Sequence, residues 1–174
     1  TPTALAAARR YLAGASVGNY ALFAGGQGSN GRSSVVDAYN TSLTRSTPTA
    51  LSVARDRLAG ASVGNYALFA GGYGGSYSNV VDTYNTSLTR STPTALSEAR
   101  EDLAGASVGN YALFAGGYGG SYSNVVDAYD TSLTRSTPTA LSEARNSLAG
   151  ASVGNYALFA GGYDGNSYFN VVDA

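Results

Sequence analysis

The chain has 174 residues, ten Arg against eleven Asp and Glu, and a formal net charge of -1. It contains no Cys, His, Met or Trp, which excludes disulfides, thiol nucleophiles, histidine acid–base chemistry and the usual zinc sites. Only 12% of the residues are charged and no basic stripe exists, so no nucleic-acid partner is expected. The apolar runs are short and broken by Gly, Ser and Asn, far from the ~20 residues of a helical membrane span, so no membrane partner is expected either. The chain opens at Thr1 without any Met, which predicts a longer or processed parent polypeptide or an omitted leader and leaves the compartment open.

The run LAGASVGNYALFAGG occurs four times without change, from Leu12, Leu58, Leu103 and Leu148, at spacings of 46, 45 and 45 residues. A period in that range predicts one supersecondary unit per copy, stacked to share a core. In the second copy, Leu58 to Asn65 is a first strand of small residues and Tyr66 to Gly72 a second strand of alternating large and small apolar residues. Val63-Gly64-Asn65 supplies the residues a tight hairpin needs. Tyr73 to Ser78 reads as a loop, Asn79 to Tyr84 as a β-branched third strand, and Asn85-Thr86-Ser87 as a turn. A fourth strand is expected over Thr89 to Ala95. All four prolines, Pro2, Pro48, Pro93 and Pro138, share this repeat position, and because proline cannot donate to a central ladder the strand should be an outer edge.

Four antiparallel strands per ~45 residues, with small residues on the first, predict an all-β fold of propeller blades. The repeats run approximately over 1–46, 47–91, 92–136 and 137–174 in a single domain, 1–174. The Gly71-Gly72 doublet, Arg55 ahead of the first strand, Tyr66 in the second and Tyr84 in the third resemble the kelch motif across the whole chain. That resemblance implies a four-stranded blade per repeat. Where kelch repeats place a Trp, this chain has Arg45, Arg90 and Arg135. The packing between blades is therefore expected from Leu43, Leu88 and Leu133 and from Tyr39, Tyr84 and Tyr129. The chain stops after the third strand of its last copy and opens with TPTAL, so Thr1 to Leu5 is expected to pair with Asn170 to Asp173 and close a four-bladed monomeric ring. Two chains sharing an eight-bladed ring, or a piece of a longer array, are the alternatives.

The copies differ chiefly in two places. At one, the pairs Arg10-Tyr11, Asp56-Arg57, Glu101-Asp102 and Asn146-Ser147 replace one another. At the other, the loop after Gly-Gly reads Gln27 to Ser34, with Arg32, then YGGSYS twice, then Tyr163 to Phe169 with Asp164. A meander brings both regions to one end of the blades, so a constant scaffold carries one varied face, as in a binding module. The Tyr, Gly, Ser and Asn loops resemble paratope composition, with Tyr77, Tyr122, Tyr168 and Phe169 as anchors, whereas Tyr73, Tyr118 and Tyr163 are expected to pack.

Other motifs carry less. Gly26 to Ser33 nearly matches a phosphate loop, but SSVVDAY follows where a helix is required. Asp37, Asp82, Asp127 and Asp173 recur in every copy and read as structural. Asp56, Glu101, Asp102 and Asp164 are singular acids without a supporting element for a glycosidase pair, and Asp164-Gly165-Asn166 is too short for a calcium loop. Asn40 and Asn85 sit in glycosylation sequons, yet Asp130 stands at the third position, and an Asx-turn explains all three. The expectation is a non-enzymatic module that binds a protein or glycan without a cofactor. The alternative is a structural or self-assembling repeat scaffold, recently amplified or engineered, with no specific ligand.

Overall fold

A computed structural model describes residues 2–174, and these contain strands, turns and bends but no helix. Four antiparallel meanders follow one another. The first holds β1 (Ala13–Val17), β2 (Tyr20–Ala24), β5 (Val36–Tyr39) and β6 (Arg45–Ser46), with the small hairpin β3 (Gln27–Gly28) and β4 (Gly31–Arg32) inserted. The second holds β7 (Ala59–Val63), β8 (Tyr66–Ala70), β9 (Val81–Asn85) and β10 (Arg90–Ser91). The third holds β11 (Ala104–Val108), β12 (Tyr111–Ala115), β13 (Val126–Asp130) and β14 (Arg135–Ser136). The fourth has three strands, β15 (Ala149–Val153), β16 (Tyr156–Ala160) and β17 (Val172–Asp173).

Within each meander the first two strands are joined by a two-residue turn. Val63 pairs with Tyr66, and Gly64 takes the positive φ of 50° that the first turn position demands. At the same end, Asn85 Oδ1 accepts from the Ser87 and Thr89 N–H groups at 3.0 and 2.9 Å. Asn40 and Asp130 do the same in their sheets. The Asx-turn expected from the Asn/Asp exchange is thus the observed turn.

Sheets pack face to face through three apolar clusters, one per neighbouring pair. In the first, Ala13, Val17, Leu22 and Val36 meet Leu51, Leu58, Ala67, Phe69 and Tyr84 of the next sheet. The second cluster repeats this set, and the third repeats it without the tyrosine, with Ala174 at that position and Val108 and Leu113 only partly buried. Leu88 and Leu133 pack against these clusters beside Tyr84 and Tyr129, so leucine and tyrosine carry the contact expected of them in place of tryptophan in the second and third repeats, whereas Leu43 and Tyr39 face the uncovered side of the first sheet and join no cluster. At the inner edge the first strands touch backbone to backbone. A Cβ on Gly60, Gly105 or Gly150 would collide with the carbonyl of Gly14, Gly60 or Gly105, which explains the small-residue strand.

A buried ion pair ties each sheet together. Arg55 donates to Asp82 at 2.8 Å and to the Phe69 carbonyl at 3.0 Å, and Arg90 donates to the other Asp82 oxygen at 2.9 Å. Arg9–Asp37, Arg100–Asp127 and Arg145–Asp173 repeat the pair at 2.7, 2.6 and 2.7 Å. The arginines at the tryptophan position therefore complete a carboxylate's partners. Burial pushes the Arg55 and Arg100 guanidinium pKa values down, opposed by Asp82 and Asp127. At Asp173 burial works in the raising direction, but the hydrogen bonds from Arg145 and Ser142 hold the carboxyl below its ordinary value.

Two expectations need correction. The fourth strand is two residues long rather than Thr89 to Ala95, and Pro93 lies beyond it. After Ser91 the chain leaves its own sheet and crosses to the next, where the Thr94 carbonyl accepts from Tyr129 OH at 2.8 Å. The proline marks that exit. For the same reason the opening segment does not complete the fourth sheet. Thr1 lies outside the described residues, but Thr3 accepts from Tyr39 OH at 2.7 Å and Ala4 from Arg45 at 2.9 Å, so the segment lies on the first sheet. Among the described residues no apolar cluster joins the first and fourth sheets, and the array is open.

Candidate functional site

The two divergent regions meet at one end of the array. In each sheet the first residue of the divergent pair forms an antiparallel bridge with the residue after Gly-Gly: Arg10 with Gln27, Asp56 with Tyr73, Glu101 with Tyr118 and Asn146 with Tyr163. Gly-Gly is what permits the approach. Gly72 has φ of 101°, and a Cβ on it would lie 2.5 Å from the Asp56 carbonyl oxygen, so no side chain fits there.

The second residue of each pair lines a common shallow depression of about 260 Å³ above four invariant leucines: Tyr11 over Leu12, Arg57 over Leu58, Asp102 over Leu103 and Ser147 over Leu148. All four adopt left-handed backbone, with φ of 57°, 53°, 53° and 54°. They are chained from sheet to sheet: Arg57 N–H donates to Tyr11 O at 2.9 Å, Asp102 to Arg57 at 3.0 Å and Ser147 to Asp102 at 2.8 Å. The backbone is constant and strained while the side chains differ, and no sequence signal marks that strain because none of the four is glycine.

Charge is concentrated around Arg57. Its guanidinium lies 3.3 Å from Glu101 and 3.8 Å from Asp102 and 5.2 Å from the Tyr11 ring centroid. Burial works against the cation, but Glu101, Asp102 and Asp56 hold its pKa above the ordinary value. Burial, and then the neighbouring carboxylates against the pull of Arg57, raises the Glu101 carboxyl, and burial likewise raises Asp102. Asp164 stands apart in its own Asx-turn, accepting from Asn166 and Ser167, so the four singular acids do not converge. Among the described residues no three acids are grouped to hold a metal ion.

Outside this depression runs a chain of six tyrosine rings. Tyr73, Tyr77, Tyr118, Tyr122, Tyr163 and Tyr168 follow one another at centroid distances of 5.6, 5.6, 5.0, 6.2 and 4.9 Å. Sequence reasoning separates them into packing and contacting sets, whereas the structure joins them, since each loop's second tyrosine reaches the first tyrosine of the next loop. Arg32, exposed on β4, extends the chain into the first sheet, with its guanidinium 4.5 Å from the Tyr73 centroid and 3.6 Å from Asp56. Arg10 likewise lies over Tyr11 at 4.9 Å and reaches Gln27 at 3.4 Å. Tyr168 is 88% exposed. Phe169 takes the place of Ser78 and Ser123, bonding Gly162 through its N–H as they bond Gly72 and Gly117, and its ring is outside the chain.

Comparison with known proteins finds no matching family model and no curated relative. What this end can do is therefore judged from its own chemistry. It offers a continuous aromatic surface beside a cation–carboxylate cluster, with side chains carried on a backbone whose geometry repeats from sheet to sheet.

Proposed function

We propose that the chain is a kelch-like propeller array acting as a non-enzymatic recognition module, which binds a glycan or a protein segment at the loop end. The observation that carries this reading is the six-ring tyrosine chain, with Arg32 at its end, on the end of the array where the copies differ most. Tyrosine gives large contact area with little side-chain entropy lost, and its ring faces suit sugar stacking as well as side-chain contact. The acids and Arg57 beside it supply directional hydrogen bonds.

Binding of the parent protein to combined glycan and peptide arrays tests this. Replacing Tyr77, Tyr122 and Tyr168 together by Ala should abolish the hits while the circular dichroism spectrum stays the same. Hits that survive the triple substitution would contradict recognition by the tyrosine chain, and a parent without hits would favour the ligand-free scaffold.

A further inference from the structure

The two ends of the sheet stack expose the two halves of an interface that the molecule makes three times internally. On the first sheet an open apolar hollow of about 680 Å³ is lined by Leu5, Leu12, Gly14, Ala21, Phe23 and Tyr39. The corresponding Leu51, Leu58, Ala67, Phe69 and Tyr84 of the second sheet are buried against the first. Phe23 is 37% exposed, whereas Phe69, Phe114 and Phe159 are at most 3% exposed. On the fourth sheet the opposite half is bare: Val153 is 61% and Val172 59% exposed, against 3% for Val63 and 1% for Val81.

We propose that these two faces dock onto each other between two copies of this chain, head to tail, and that the pair closes an eight-bladed ring. The occupant follows from identity. Whatever covers Phe23 must present the pattern of two Ala and a Val from the first strand and a Leu from the second that β1–β2, β7–β8 and β11–β12 present inside the chain, and the bare β15–β16 face of another copy presents that pattern residue for residue. The polar groups match as well. Ser62 Oγ accepts from Ser16 N–H at 3.2 Å and donates to Ser16 O at 2.7 Å, and the Ser62–Ser107 and Ser107–Ser152 steps continue the ladder at 2.9 and 3.1 Å. Ser16 Oγ is the next acceptor, and the Ser152 N–H of a partner is the donor that meets it. The same docking lets Tyr11 N–H of one copy reach Ser147 O of the other, so that the ladder under the depression runs unbroken through both copies. Two copies make eight blades, the upper end of the usual four to eight, and three would exceed it. A head-to-tail contact must close in this way or run on as a filament.

Gly14 separates docking from folding. A Cβ there meets nothing closer than 3.6 Å, the Phe23 ring of its own sheet, whereas a Cβ at the equivalent Gly60 collides with Gly14 O. Gly14→Val should therefore leave the sheet stack intact and block only a partner's Gly150 carbonyl. Ala151→Glu, on the exposed opposite face, should block docking from the other side. The test is mass by sedimentation at micromolar concentration. The parent is expected at twice 17.6 kDa, each variant at the single-chain mass with unchanged circular dichroism, and an equal mixture of the two variants partly back at the doubled mass, because each keeps one intact face. A parent at the single-chain mass, variants that keep the doubled mass, a mixture that stays single, or a ladder of higher masses would each overturn the two-copy ring.

Discussion

Both ends of the blades hold non-glycine residues in left-handed backbone, and they differ in what offsets the strain. At the hairpin end Leu43, Leu88 and Leu133 have φ of 59°, 59° and 63°, at a cost of about 1–2 kcal/mol each. Leu88 and Leu133 are partly buried against the apolar clusters between sheets, while Leu43, on the uncovered face of the first sheet, is 56% exposed. At the loop end Tyr11, Arg57, Asp102 and Ser147 carry the same strain and belong to none of the three clusters. One end uses an unusual backbone to fill a core and repeats its residue unchanged. The other uses it to aim four different side chains at one place, the situation in which strain points to function.

The largest expected effect removes what both ends share. Asp127 is fully buried and accepts from Arg100 and Arg135, so Asp127→Asn, which leaves two arginines short of a partner, should lower stability by about 3–5 kcal/mol in urea unfolding. A smaller pair of substitutions should act in opposite directions. Leu88→Gly relieves backbone strain but loses apolar burial, for a net loss of about 1 kcal/mol. Ser147→Gly relieves strain at an exposed position and should raise stability by up to about 1 kcal/mol, less the extra chain entropy of glycine. Equal signs for the two would erase the contrast between the ends.

The smallest effect is a pH dependence. Burial, ahead of the neighbouring charges, raises the Glu101 carboxyl in the folded protein, so the folded state holds a proton that the unfolded chain has released. Stability from this group is present at low pH and falls as pH rises through the window between the unfolded and folded values. Glu101→Gln should therefore stabilise slightly at neutral pH, and the difference should vanish below the ordinary carboxylate range. An advantage that grows on acidification would contradict the assignment.

Much of this architecture is legible in the repeats. The small residues of Leu58 to Asn65 report the close approach of the first strands, Gly64-Asn65 the hairpin, and the exchange of Asn85 for Asp130 the Asx-turn, because each requirement is local. Long-range features are not legible in the same way. Pro93 reads as an edge-strand residue because nothing nearby reveals that the chain is about to cross to Tyr129. Tyr77 and Tyr118 are 41 residues apart in sequence, and only the distance between sheets makes them neighbours. The left-handed Tyr11 and Arg57 carry no compositional mark, and identical repeats read the same whether an end face is covered or bare.

The division of labour between the ends is tested most directly by substituting each end separately and assaying both proteins on one glycan and peptide array. Alanine at Tyr77, Tyr122 and Tyr168 should remove the parent's hits, and alanine at the exposed hairpin residues Asn19, Asn65, Asn110 and Asn155 should leave them intact. Hits lost with the hairpin variant but kept with the tyrosine variant would contradict the assignment of recognition to the loop end.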